Sequence, residues 1–99
     1  MLNIVTEAQA DERTVKLSGR LDTTTAPELE SLLKKELPDV KTLVFDMHEL
    51  EYISSAGLRV LLSAQKTMNR QGTMKLVSVS ETILEIFEIT GFCDILTIA

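Results

Sequence analysis

The chain has 99 residues, a net charge of −5 at neutral pH and 44% apolar residues, and these values exclude several classes of protein. The length fits one domain, residues 1–99, since domains usually have about 100–150 residues. The ten basic residues are scattered among fifteen acidic ones, so neither a nucleic-acid surface nor an anionic membrane surface is expected.

Cysteine and histidine content limits the chemistry further. Cys93 and His48 are the single cysteine and histidine, too few for an internal disulfide or a four-ligand zinc site. The first residues, MLNIVTEAQADERT, lack a basic segment followed by a long apolar run. The sequence therefore predicts a soluble cytoplasmic protein without an export signal.

Two strands and a helix are predicted in the first part of the chain. Apolar and polar residues alternate over residues 2–7 and 14–18, and the polar stretch AQADER between them suits a hairpin. Residues 26–37 then carry apolar side chains on one helical face. The stretch Thr25-Ala-Pro-Glu28 predicts a capping box, with Thr25 as the N-cap and Glu28 reaching back to it.

The next element is a central strand followed by a second helix. Residues 42–47 are apolar without alternation, which predicts a strand covered on both faces. A link over residues 48–53 leads to an amphipathic helix that ends at Gly72.

The last third of the chain completes an α/β domain. Residues 74–79 predict a strand, Ser80 caps a third helix, and residues 94–98 are predicted to form a short edge strand. The order is β-β-α-β-α-β-α-β, and its βαβ crossovers require parallel strands. We therefore expect fold class α/β: a single domain with a mixed five-stranded sheet and helices packed on it.

Two polar clusters are predicted at the carboxyl edge of this sheet, where functional groups collect in α/β folds. They are SGRLDTTT (residues 18–25) before the first helix and SSAG (residues 54–57) before the second. Each can be explained as a helix-capping loop. The serine pair, however, has one hydroxyl more than capping requires, so one serine can cap while the other is presented to a substrate, a phosphate or a protein.

The chain resembles the STAS-domain anti-sigma factor antagonist family. The resemblance lies in GRLDTTTAPELE (residues 19–30), in VFDMHELEYISSAGLRVLL (residues 44–62) and in an element order that covers nearly all of the sequence. It implies that Ser55, two residues before a Gly-Leu pair, is the phosphorylated serine. Many members have Asp immediately before the acceptor and a second Ser after it, where this chain has Ser54 and Ala56. Because Asp at that place can cap the helix, Ser54 is expected to be the N-cap and Ser55 the acceptor.

The resemblance also implies a partner and a switch. Unphosphorylated members bind an ATP-bound anti-sigma factor serine kinase and so free a sigma factor, phosphorylation ends the binding, and a serine phosphatase restores it. The partner-binding residues implied here are Asp22, Thr23, Thr24, Ser54, Ser55, Ala56, Gly57 and Arg59. An alternative within the same fold is a STAS docking subunit of a lipid-transport ATPase or a stress-signalling complex, in which this surface is a permanent docking face.

An enzyme is a third possibility, because Asp46, His48 and Ser55 are the residue types of a hydrolase triad. The chain has no G-x-S-x-G elbow and no Gly-rich oxyanion loop, and it is short for a substrate pocket. It also has no P-loop and no G-x-G-x-x-G motif, so the kinase must supply the ATP. The sequence therefore predicts a regulatory protein that is not an enzyme and needs no cofactor or metal.

Overall fold

A computed structural model describes residues 2–99, which form one four-stranded sheet with helices packed on it. The strands are β1 (Leu2–Gln9), β2 (Glu12–Leu21), β3 (Thr42–Ile53) and β4 (Thr73–Val77). Their spatial order is β1-β2-β3-β4, with β1 antiparallel to β2 and the other pairs parallel. The predicted hairpin and the predicted mixed sheet are therefore confirmed.

Three α-helices connect or follow the parallel strands. They are α1 (Ala26–Glu36) after β2, α2 (Ser55–Gln71) after β3 and α3 (Glu81–Thr90) after β4. None of the helices within residues 2–99 combines the length and hydropathy that a membrane crossing needs. The element order through α3 agrees with the sequence-based prediction.

The helices cover only one face of the sheet. Along β3, the side chains of Leu43, Phe45 and Met47 are fully buried, whereas those of Val44 and Asp46 between them are half-buried. Since alternate side chains of a strand point to opposite faces, the hydrophobic core lies on one side of the sheet. The prediction that the central strand is covered on both faces is wrong, because all three helices pack on that one side.

β3 is longer than the sequence pattern predicts. The predicted link over residues 48–53 is wrong, since the strand continues to Ile53. At two places β3 has one residue more than the facing part of β2. Each such bulge resets the alternation, so that the buried positions after Met47 are Leu50 and Ile53, three residues apart.

The predicted fifth strand over residues 94–98 is also wrong, since residues 2–99 form four strands only. Gly91 ends α3 in the left-handed conformation at φ 80°, and Phe92–Asp94 then form a 3-10 helix. Ile98 pairs with Leu76 through an isolated parallel bridge. The 3-10 helix and the turn and bend after it occupy residues 92–96, so within the described residues only the bridge at Ile98 adds to the sheet here.

Candidate functional site

The two polar clusters meet at the carboxyl edge of the sheet. Leu21, the last residue of β2, lies opposite Ile53, the last residue of β3, in the parallel register. The backbone N–H of Ser54 donates to the carbonyl of Leu21 at 2.9 Å. This hydrogen bond joins the start of one loop to the start of the other, so the predicted juxtaposition of the two clusters is confirmed.

Asp22 is the residue that caps the first helical turn. Its Oδ1 accepts hydrogen bonds from the N–H groups of Thr24 at 3.0 Å and Thr25 at 3.1 Å, and from the Thr24 hydroxyl at 3.0 Å. The carbonyl of Asp22 also accepts from the N–H of Ala26 at 2.8 Å. Helical hydrogen bonding therefore begins at Asp22, three residues before the predicted cap.

Thr25 is the N-cap residue of α1 by position, as predicted, but the predicted capping box is wrong. The Thr25 side chain makes no hydrogen bond to α1 and instead accepts from the N–H of Asp22 at 2.8 Å. The N–H of Thr25, which Glu28 would have to reach, is already bound by the Asp22 carboxylate. Thr25 is buried, and its hydroxyl stabilises the loop by donating to the carbonyl of Arg20.

Hydrogen bonds within this loop lower the pKa of the Asp22 carboxyl. The Thr24 hydroxyl is the largest cause, followed by the N–H of Thr25, because both stabilise the ionised form. Asp22 is therefore negatively charged at neutral pH, and its Oδ1 is directed at its own loop. Thr23 and Thr24 are exposed at the tip of that loop.

Ser54 and Ser55 have different structural roles. Ser54 has the extended backbone of an N-cap, with φ −95° and ψ 175°, and its Oγ accepts from the N–H of Gly57 at 3.4 Å. The prediction that Ser54 caps the second helix is confirmed. Ser55 is the first residue of α2 and is exposed, so its hydroxyl is the one that capping leaves over.

Gly57 sets how closely α2 approaches the sheet. A Cβ atom at this position would lie 2.7 Å from Cγ of Leu21 and 2.9 Å from Cγ1 of Ile53, closer than van der Waals contact allows. Gly57 is itself buried. Its contribution to the site is thus to position the first turn of α2, and with it Ser55, against the strand ends.

A shallow groove runs from this edge between the first turns of α1 and α2. Its volume is about 180 Å³, and it is lined by Thr23, Ala26, Pro27, Glu30, Ala56, Arg59 and Val60. Ala56 is half-buried and Arg59 is exposed. The eight predicted site residues therefore lie on neighbouring segments: Asp22, Ser54 and Gly57 shape the backbone, and the others face solvent or the groove.

Arg20 and Tyr52 belong to the same edge and were not predicted as site residues. The Arg20 guanidinium lies over the Tyr52 ring, 4.3 Å from its centroid, and Arg20 Nε is 4.0 Å from Oδ2 of Asp22. The two residues are partners in the parallel register of β2 and β3. The pairing register of β2 and β3 could have identified Arg20 and Tyr52 as neighbours. The two bulges in β3 shift this register, and the sequence of one strand alone does not show them.

Asp46 and His48 are separated from Ser55. The backbone N–H of His48 donates to Oδ1 of Asp46 at 3.0 Å, so the Asp46 carboxylate bonds to the backbone of its own strand. Both lie within β3 and not at its end. At about 3.3 Å per residue, the strand from His48 to Ile53 spans roughly 16 Å. The three residues of the hypothetical hydrolase triad are therefore not assembled.

Comparison with known proteins assigns the family. The model of the STAS domain matches residues 3–99. The chain belongs to the STAS-domain family. The anti-sigma-B factor antagonist of Staphylococcus aureus is 33% identical to this STAS domain over 97 residues, an alignment that covers 96% of this chain and 90% of that protein.

Solved structures share the STAS fold. An anti-sigma factor antagonist from Mycobacterium paratuberculosis has a TM-score of 0.89 and 22% identity, with 99% of this chain and 85% of that chain covered. The Bacillus cell fate determinant SpoIIAA in its phosphorylated form has a TM-score of 0.77 and 18% identity, with 98% and 91% covered. At these identities the similarity establishes the fold.

The close approach at Gly57 predicts that Gly57→Ala destabilises the protein, although Gly→Ala usually stabilises a helix. Gly→Ala in an open helix position stabilises by up to about 1 kcal/mol. At Gly57 the added methyl would displace the buried side chains of Leu21 and Ile53, and such overpacking costs about 1–3 kcal/mol. We expect Gly57→Ala to lower the free energy of unfolding in urea, whereas Ser63→Ala on the exposed side of α2 changes it by less than about 0.5 kcal/mol. A stabilised Gly57→Ala variant would contradict the packing described here.

The lowered pKa of Asp22 predicts a pH-dependent stability. Because the folded-state pKa lies below the ordinary value of 3.8, ionisation of Asp22 stabilises the folded protein above that pH, and the contribution is lost as the pH falls through the folded-state pKa. Asp22→Asn retains an acceptor oxygen but not the charge. Thermal unfolding should show Asp22→Asn less stable than wild type at pH 7, with the gap closing below pH 3.8. Asp11→Asn, in the exposed hairpin turn, is the control, and a gap that persists unchanged in acid would contradict the role of the charge.

Proposed function

We propose that this STAS domain is an anti-sigma factor antagonist whose unphosphorylated form binds an ATP-bound anti-sigma factor serine kinase, and that phosphorylation of Ser55 ends this binding. The observation that carries the proposal is the exposed hydroxyl of Ser55 beside a serine that already supplies the helix cap. The name of the 33% identical S. aureus relative, an anti-sigma-B factor antagonist, supports this assignment.

The folded chain can accept a phosphate on Ser55. The first residues of a helix have unpaired N–H groups and a partial positive charge, which together stabilise an anion. A phosphate at this place adds about −1.5 to −2 charges without removing an existing cap, since Ser54 supplies it. SpoIIAA, which shares the fold, has been solved in both unphosphorylated and phosphorylated forms.

The same phosphate opposes binding of a partner. A docked partner excludes water from the first turn of α2, so the phosphate would lose its hydration unless the partner offered Arg or Lys. The chain already has a net charge of −5, which adds repulsion towards any acidic partner surface. Phosphorylation therefore weakens association while leaving the folded domain intact, and a serine phosphatase would restore binding.

The site residues divide into two groups under this proposal. Thr23, Ala56 and Arg59 line the groove beside the first turn of α2, Thr24 is exposed next to Thr23, and these four residues would contact the kinase. The backbone of both loops is held by Asp22, Ser54 and Gly57, whose side chains or close packing face inward. Changes in the first group should alter affinity, and changes in the second group should alter stability as well.

The two serines provide the first test. With the cognate kinase and ATP, we expect mass spectrometry to find phosphate on Ser55 in the wild type and in Ser54→Ala. The latter should lose stability near the lower end of the roughly 0.5–2 kcal/mol typical of N-caps, because its cap hydrogen bond is long at 3.4 Å. Ser63→Ala, two turns further along α2, is the control and should be phosphorylated normally. Phosphate found on Ser54 alone would refute the assignment of the acceptor.

Binding measurements with the same kinase provide the second test. Ser55→Ala should take up no phosphate and should bind in both the presence and absence of prior incubation with ATP. Ser55→Glu should fold normally and bind weakly, because it places a charge where the docked partner excludes water. If the authentic phosphoprotein bound as tightly as the unphosphorylated form, the permanent docking face of another assembly would be the better explanation.

A further inference from the structure

Arg59 lies on the same face of α2 as Ser55. The two residues are four positions apart within one continuous helix, and both are exposed. Residues at this spacing are neighbours on a helix surface, with Cβ atoms about 5–6 Å apart. Long helical side chains also lean towards the helix N-terminus, so the Arg59 side chain covers the turn that begins at Ser55.

Among residues 2–99, Arg59 has no carboxylate partner that would hold its guanidinium elsewhere. Within residues 2–99 the ion pairs are Arg13–Glu36, Lys16–Glu7, Arg20–Asp22 and Lys34–Glu30. Glu30 lines the same groove as Arg59 but is paired with Lys34 at 4.0 Å. The guanidinium of Arg59 is therefore available for a new anion close to it.

We propose that Arg59 is the intramolecular partner of the phosphate on Ser55, so that phosphorylation closes an i,i+4 ion pair along the first turns of α2. This inference rests on the proposed function for the identity of the modified serine. The anion precedes the cation along the helix, which is the more favourable orientation of such a pair. A guanidinium can also donate two parallel hydrogen bonds to a phosphate, which an ammonium group cannot do with the same geometry.

The ion pair gives Arg59 a different role in each state. In the unphosphorylated protein Arg59 lines the groove between α1 and α2 and is exposed, so a carboxylate of the kinase can reach its guanidinium. In the phosphorylated protein the guanidinium is held over Ser55. One modification thus adds negative charge to the docking surface and withdraws a positive charge from it, with no movement of the backbone.

The test measures the ionisation of the phosphate directly and needs no binding partner. Phosphoserine is placed at position 55 during synthesis of the protein, and the second phosphate pKa is followed by phosphorus NMR. A nearby guanidinium favours the dianion, so Arg59→Gln should raise the midpoint by about 0.15–0.4 pH units, a size that follows from the usual strength of charged i,i+4 pairs. Arg59→Lys should fall between Arg59→Gln and wild type.

Arg70→Gln is the matched control, since Arg70 is an exposed arginine of the same helix, 15 residues from Ser55. At 1.5 Å per residue it lies roughly 22 Å along the helix axis, beyond the screening length of about 10 Å. The other charged residues of the neighbouring segments, Asp22, Arg20 and Glu30, are the same in every variant compared, so their effect on the phosphate cancels. Equal midpoints for wild type, Arg59→Gln and Arg70→Gln would overturn the ion pair.

The phosphorus NMR result is independent of the proposed function. If the ion pair forms but no kinase modifies Ser55, then the proposed switch fails and the pairing stands. If Ser55 is the natural acceptor but the midpoint does not respond to Arg59→Gln, then the switch stands and Arg59 acts only as a partner contact. An equal rise in Arg59→Gln and Arg70→Gln would show a general field effect and would also contradict the proposal.

Discussion

The candidate site depends on the backbone hydrogen bond from the Ser54 N–H to the Leu21 carbonyl, which joins the ends of two parallel strands. Because this bond fixes both loops to the sheet, each loop needs only short-range interactions to become ordered. Asp22 orders the first loop, and Ser54 begins α2 in the second. Gly57 then allows that helix to lie directly on the strand ends. Asp22 and Ser54 already accept hydrogen bonds from the backbone N–H groups of the two loops, so the Ser55 side chain is not needed as a cap and is exposed.

The parts of the fold that were predicted correctly have local signals. The hairpin follows from alternation within each strand, the helices follow from their apolar faces, and the N-caps Ser54 and Ser80 precede their helices directly. The Ser80 hydroxyl, for example, accepts from the N–H of Ile83 only three residues later, at 3.3 Å. That Ser54 is the cap and Ser55 the exposed serine of the pair is also a local feature, since one helix start needs only one capping hydroxyl. For such features, residues within one turn or one strand determine the outcome.

The errors occur where residues distant in sequence decide the structure. The capping box is the exception, since its cause is local: the Thr25 hydroxyl donates at 2.9 Å to the carbonyl of Arg20, five residues earlier, and does not bond to α1. The bulges in β3 depend on how that strand pairs with β2, so periodicity alone could not extend it to Ile53. The contact between Arg20 and Tyr52 depends on the same pairing. Because bulges change the register between two strands, the sequence pattern of one strand alone could predict neither the length of β3 nor the contact between Arg20 and Tyr52.

Amide hydrogen exchange of the protein with and without phosphoserine at position 55 tests most directly whether the site switches by charge alone. The N–H of Ser54 is bonded to the sheet edge, so its exchange should be slow in both forms, close to that of amides in the core of β3. Differences between the forms should be confined to the first two turns of α2 and the Asp22 loop. Rapid exchange at Ser54 in the phosphorylated form, or changes that extend through the sheet, would show that phosphorylation rearranges the fold and would contradict a switch based on charge.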